Sequence, residues 1–290
     1  MIAPATAPRT TRALRPRLKK RITPWILTIV GALLLVPVIA PFVWMLSSAL
    51  KPLDQIFSLP FSLWPHPVVG SNFTIPFLAD GFGAYFRNSA IVAAATTAGN
   101  LILDTLAAYA VAKFRFPGRR AYFMFILATM TLPLQVIVVP LFLTVQALGW
   151  LNSYAALIVP GLMSGFGVFL MHQFLQEVPD EMLAAARVDG ASEPFILTRI
   201  VVPLVRPALL TLGLFSFMAS WDSFLWPLLV VSNNSLYTLP LGIASFEGMY
   251  TTQYGQLMAV AVCAMLPMLL IFLVLQRQFL RGLVIGGLKG

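Results

Sequence analysis

Two carboxylates lie where an apolar chain would not be expected to place them. Asp222 sits in the run SWDSFLWPLL at 220–229, and Asp104 sits within the apolar stretch 88–112. An ionisable side chain inside a membrane-length segment is costly, and it ordinarily faces a cavity or a partner. Trp221, Phe224 and Trp226 surround Asp222, and sugar sites combine aromatic faces with a few orienting polar groups. These four residues and Asp104 are therefore the candidate substrate pathway. A packing role competes at both places. Residues 221–226 also read as a kinked, aromatic-belted helix near a membrane interface. Asp104, nine positions before Lys113 and so about 13 Å deep, also reads as an interhelical hydrogen-bonding group or a protonated acid.

Other chemistry is missing from the chain. His66 and His172 are isolated, Cys263 is the single cysteine, and there is no Gly-rich phosphate loop ending in Lys-Ser or Lys-Thr. The reading is a non-enzymatic chain that binds no metal or cofactor and cannot hydrolyse ATP. Energy for any transport must come from ATP on a partner or from an ion gradient. In the second case Asp104 and Asp222 would be the proton carriers of a self-sufficient secondary transporter, although the internal repeat common in such folds is absent. A membrane-embedded enzyme lacks any reactive cluster.

A second informative segment is EVPDEMLAAARVDGASEPFILTRIVVPLVRP at 177–207. Asp180 after Pro179 can cap a helix, with Glu181 favourable in its first turn. Met182–Val188 is helix-forming, and Asp189-Gly190 breaks it. Ser192 can cap a second helix with Glu193 and Pro194 in its first turn, and Pro203 ends that helix. The predicted element is a charged elbow with apolar Met182, Leu183, Phe195 and Ile196. Such an elbow can lie on a membrane surface or dock into a partner's groove.

The elements that position these residues follow from composition. Of 290 residues, 59% are hydrophobic and 10% charged, with mean hydropathy +0.87. Soluble domains carry about 25% charged residues, so this chain cannot coat itself for water, and lipid must solvate much of it. Six stretches are long and apolar enough to span: 25–47, 88–112, 121–145, 154–176, 207–231 and 256–279. Basic residues orient them. Seven of the 19 Lys and Arg precede Trp25, four lie at 113–120, three at 177–206 and three after 276, while Lys51 and Arg87 are alone on the other side. That bias predicts an all-α membrane protein of six transmembrane helices with both termini cytoplasmic. It consists of a disordered basic tail over 1–24 and one membrane domain over 25–290. The tail has prolines and no aromatic residue, so its expected partner is anionic lipid headgroups and not nucleic acid. Pro37, Pro133, Pro140, Pro227 and Pro267 are expected to kink or interrupt spans. Ala90, Ala94 and Ala98, and Gly161 with Gly165, have the spacing that lets helices approach closely, within the chain or at a subunit interface.

The elbow resembles the EAA loop of ABC-importer permeases, whose pattern runs P-x-E-x-x-E-A-A-x-x-D-G-A, then an aromatic, an Ile and L-P-x-x-x-P. Pro179, Glu181, Ala185, Ala186, Asp189, Gly190, Ala191, Phe195, Ile200, Pro203 and Pro207 match it, and Ala184 replaces the leading glutamate. SWDSFLWPLL is similar to the fifth-span signature W-N-x-F-x-W-P of the maltose-type carbohydrate permeases, with Asp222 for the usual amide. NSAIVA at 88–93, LAAYAVAKFRFPGRR at 106–120 and GLVIGGLKG at 282–290 also resemble that family. The resemblance implies a multi-pass subunit of a bacterial cytoplasmic (inner) membrane that forms the translocation pathway for a sugar or related small solute. It implies a second permease, two ATPase subunits carrying ATP and Mg, and an extracytoplasmic solute-binding protein. It assigns ATPase coupling within loop 177–206 to Glu181, Ala184, Ala185, Ala186, Asp189, Gly190, Ala191 and Phe195.

Overall fold

The computed structural model describes residues 19–60, 62–249 and 253–287. Residues 1–18, most of the expected basic tail, lie outside the described residues, as does the end of the 282–290 motif. The described chain is helical, with no strand among the described residues. In order the helices are α1 Lys19–Ala49, α2 Leu53–Ile56, α3 Ser71–Leu78, α4 Phe82–Lys113, α5 Arg119–Met130, α6 Leu134–Ala147, α7 Tyr154–Ile158 and α8 Gly165–Gln176. There follow α9 Asp180–Val188, α10 Glu193–Phe195, α11 Val202–Leu204, α12 Arg206–Trp221, α13 Leu225–Val230, α14 Leu239–Met249 and α15 Tyr254–Gly287.

Among the described residues, three helical stretches are individually long and apolar enough to cross a membrane: Trp25–Ala49, Phe82–Lys113 and Tyr254–Gln276. Three more pairs reach that length together but are bent, Arg119–Met130 with Leu134–Ala147 by 104°, Tyr154–Gly161 with Gly165–Gln176 by 40°, and Glu193–Leu204 with Arg206–Trp221 by 84°. The expected third span, 121–145, is therefore not one straight helix. Pro133 opens α6 in an extended conformation and has no N–H to give the preceding turn. Two hydroxyls compensate at the end of α5, where Thr129 Oγ1 donates to Ile126 O at 2.6 Å and Thr131 Oγ1 donates to Ala128 O at 2.8 Å. The expected fifth span likewise stops at Trp221 and resumes at Leu225. The connections expected at 48–87 and 232–255 hold α2, α3, the first turns of α4, and α14.

Long α4 is the central post. One end packs with α8, α9 and α12 in a core containing Ala108, Val168, Met171, Leu183, Ile196 and Leu212. The other end is pinned by amides. Asn88 Nδ2 donates to Ser235 O and Tyr237 O at 2.8 and 3.0 Å, and Tyr154 Oη donates to Asn88 Oδ1 at 2.6 Å. Of the two small-residue patterns, the glycines seat helices within the chain. A Cβ on Gly161 would meet Thr96 at 3.1 Å, and one on Gly165 would meet Thr129 Oγ1 at 2.8 Å. The α4 pattern divides: Ala90 packs against the core around Phe82, Trp221 and Leu239, whereas Ala94 and Ala98 are exposed.

Candidate functional site

The elbow begins with α9. Its N-cap position belongs to Pro179, which corrects the expected cap at Asp180. Asp180 stands in the first turn, where a carboxylate suits the helix dipole, and bonds to Lys113 Nζ at 2.7 Å. The same ammonium donates to Val178 O at 2.6 Å. Asp189 ends the helix, and Gly190 takes φ +83°, a left-handed conformation that side chains with a Cβ rarely adopt. Ala191 N donates to Ala186 O and Gly190 N to Arg187 O, both at 3.0 Å. This is the Schellman closure, and it satisfies carbonyls that the helix end would leave open.

Ser192 occupies the cap position of α10 but makes no side-chain cap bond. Past Phe195 the chain winds in wider π turns over Ile196–Val201 and continues through α11 to Leu204. The second arm is thus longer than expected, and Pro203 lies within its last turn. One ion pair and one hydrogen bond hold the arms. Arg187 Nε meets Glu193 Oε1 at 2.5 Å, and Tyr109 Oη donates to Glu193 Oε2 at 2.9 Å. Arg187 also lies over the Phe114 ring at 5.8 Å. The Arg187 hydrogen bond holds the Glu193 carboxyl below its ordinary range, and the Lys113 hydrogen bond does the same for Asp180.

The eight expected coupling residues divide into two groups. Glu181, Ala184, Ala185, Asp189, Gly190 and Phe195 are exposed, whereas Ala186 and Ala191 are partly buried against the core. Glu181, Ala184, Ala185 and Val188 fall at i, i+3, i+4 and i+7, one face of a helix, and Leu183 on the opposite face is 1% exposed. The outward face has small alanines flanked by Val188 and Phe195, a shape that admits another protein surface close to the backbone.

The five expected pathway residues are not gathered at one place. Trp226 borders a cavity of about 670 Å³ with Thr96, Asn100, Ser216, Ser220 and Ser223. Trp221, Asp222 and Phe224 border a different, mostly apolar groove of about 810 Å³ with Leu239 and Met268. Both indoles are tied to backbone, Trp226 Nε1 donating to Ala156 O at 2.8 Å and Trp221 Nε1 to Ala264 O at 3.1 Å. Asp222 is exposed at the break after α12.

Asp104 is fully buried and lines neither space. Its Oδ1 accepts from Ser164 N and its Oδ2 from Ser164 Oγ, each at 2.9 Å, while Ser164 Oγ accepts from Gly167 N at 2.9 Å. Asp104 thereby completes the N-cap of α8. A Cβ at Gly167 would lie 1.9 Å from Asp104 Oδ2, so glycine is what allows this contact. Sequence reasoning missed Ser164, although serine ahead of an apolar helical run is an N-cap signal. It also missed Tyr109 as an anchor and read Lys113 only as a topology charge.

Residues 104–284 match the model of the family described as binding-protein-dependent transport system inner membrane component. The chain belongs to this family. The match takes in the whole elbow, and inner membrane component accords with the several apolar helices. Among relatives of this inner membrane component, the arabinooligosaccharides transport system permease protein AraQ of Bacillus subtilis (strain 168) is 34% identical over 86% of this chain and 90% of that protein. The sn-glycerol-3-phosphate transport system permease protein UgpE of Pectobacterium atrosepticum is 37% identical over 80% of this chain and 85% of that protein. A chain from the crystal structure of a bacterial ABC transporter involved in import of the acidic polysaccharide alginate has the same fold, with TM-score 0.80 and 20% identity over 93% of this chain and 99% of that one. A second such structure, in complex with an alginate pentasaccharide-bound periplasmic protein, superposes with TM-score 0.61 and 16% identity over 89% and 95%.

Proposed function

We propose that this chain is one of two pore-forming permease subunits of an ATP-driven importer in a bacterial cytoplasmic membrane, carrying a carbohydrate or related polyhydroxylated solute. The observation that carries the reading is the elbow, a rigid, doubly anchored element whose alanine face points away from the chain's own core. In this reading α1, α4, α5 with α6, α7 with α8, α12 with α13, and α15 are the six spans of a single membrane domain over 25–290. Both termini and the elbow face the cytoplasm, with the tail over 1–24 at the lipid headgroups. Two ATPase subunits hold ATP and Mg, and each permease presents one elbow to one of them. Glu181, Ala184, Ala185, Asp189, Gly190 and Phe195 form the docking face, and Ala186 and Ala191 set its angle. This chain itself is not catalytic.

ATP-driven closure of the ATPases moves the elbow, and α4, tied to it at Tyr109 and Lys113, carries that movement through the membrane. The exposed Ala94 and Ala98 support α4 as part of the contact with the second permease. A solute-binding protein delivers solute from outside. Among the described residues, the cavity beside Trp226 sets hydroxyls and the Asn100 amide into a mostly apolar and aromatic wall with no charged side chain, a mixture that suits an uncharged polyol or sugar. The AraQ relative supports the same solute class. The test is uptake by the reconstituted complex with ATP supplied and the proton gradient collapsed. Continued uphill uptake is expected, and uptake that stops with the gradient would overturn the reading.

A further inference from the structure

The segment between α2 and α3 reads FSLPFSLWPHPV over 57–68, without one Lys, Arg, Asp or Glu. Loops that face water are ordinarily polar. This one exposes large apolar side chains instead, with Leu59 at 91% and Trp64 at 85% exposure. Phe57 and Leu63 are also exposed.

Hydrogen bonds fix the depth of this segment. Ser47 Oγ donates to Leu63 O, and Lys51 Nζ donates to Ser62 O. The Gln55 side-chain amide donates to His66 O and accepts from His66 N at 3.3 Å. Val69 N donates to Leu50 O at 2.8 Å. Residues 62–66 are therefore held beside the last turn of α1. The 25-residue apolar stretch Trp25–Ala49 ends there. At 1.5 Å per residue it is about 37 Å long, against a hydrocarbon core of about 30 Å, so its end reaches the headgroup zone. Tryptophan and other rings with one polar edge partition to that depth.

We propose that residues 57–60 and 62–68 form a lipid-seated hook that places Trp64 and Leu59 in the headgroup zone of the bilayer at this end of α1. Lipid is the occupant that the chemistry fits. The rim of a protein–protein contact is polar, whereas this surface is uncharged and continues the apolar exterior of α1, where Leu33, Leu34, Val36 and Leu46 are all exposed. The inference rests on α1 being a membrane span, and not on the solute or on which side of the membrane the hook occupies.

The test places a nitroxide at position 64 or 59, by Trp64→Cys or Leu59→Cys in a Cys263→Ser background, in the assembled transporter in lipid nanodiscs. Asn233→Cys serves as the water-facing reference. The ratio of collisions with dissolved oxygen to collisions with a water-soluble nickel chelate should be several-fold higher at both hook labels than at 233. A ratio at 59 and 64 equal to that at 233 would overturn the proposal in favour of a water-facing loop. Low collision rates with both reagents would overturn it in favour of protein cover, by the second permease or by added solute-binding protein. Leu59 is almost wholly exposed, so its replacement keeps the test available if Trp64→Cys does not assemble.

Discussion

Tyr109 and Glu193 lie 84 positions apart in the chain, and the tyrosine hydroxyl donates to the glutamate Oε2 at 2.9 Å. One turn further along α4, Lys113 grips the first arm of the elbow through Val178 O and Asp180. A single helix therefore holds both arms. Arg187, reaching from the first arm to Glu193 in the second, braces the angle between them. Under the proposed coupling role, a push on an elbow hung on a loop would dissipate, whereas a push on this one would pass to a 32-residue helix.

Lys113→Met tests the first anchor. Methionine keeps the buried apolar stem and removes the ammonium, freeing the Val178 carbonyl and Asp180. Amide hydrogen exchange over 178–188 should rise several-fold with α4 unchanged, and solute moved per ATP hydrolysed should fall. Unchanged exchange in the elbow would show that the contact anchors nothing.

The two elbow carboxylates predict an acid response with a definite sign. Asp180 and Glu193 are held below the ordinary carboxylate range by Lys113 and Arg187. Their contribution is thus fully present above the unfolded-state value, about 4, and is lost as pH falls through the lower folded values. A nitroxide at position 185 should keep constant mobility from pH 8 to 5 and loosen only below about 4. Loosening between pH 7 and 5 would contradict these pairings.

Gly167→Ala tests the capping role of Asp104. The new methyl would fall 1.9 Å from Asp104 Oδ2, and the rearrangement should cost about 1–3 kcal/mol, read as a lower melting temperature in detergent. Gly213→Ala is the control, since its Cβ would meet Leu101 methyl groups at a comfortable 3.7 Å and should change little. Equal melting of the two variants would count against the tight Asp104–Gly167 contact.

Much of the helical layout was readable beforehand because long apolar runs and Pro, Gly and Asp breaks act locally. The Asp189-Gly190 stop is an example, since a left-handed residue after a helix is a property of a few neighbouring positions. The pairings across helices were not readable. Whether Lys113 reaches Asp180, or Asp104 reaches Ser164, depends on how two helices rotate about their axes, and helices apolar on all sides carry no stripe that fixes rotation. For the same reason the run at 221–226 read as one cluster. The break at Asp222 turns Trp226 toward one space and Trp221 toward another. Asp180 misled because aspartate is both a good cap and a good first-turn residue, and the chain used the second property.

Asp222 separates an ATP-driven pore from an ion-coupled carrier. Asp222→Asn preserves size and hydrogen bonding but cannot release a proton. Uptake should persist with less than a tenfold change in apparent affinity, on the order of the 1 kcal/mol of one hydrogen bond. Loss of all uphill uptake, with the complex intact, would mark Asp222 as a proton carrier.

The central claim is that the alanine face of α9 docks on an ATP-hydrolysing partner. It is tested most directly by a photo-crosslinking residue placed at Ala185, on that face, and at Leu183, on the buried face, in transport-competent membranes. Irradiation should join position 185 to an ATPase subunit, with a yield that changes when ATP is bound, and position 183 should give no such product. A complex that still transports while position 185 gives no adduct with the ATPase would contradict the account.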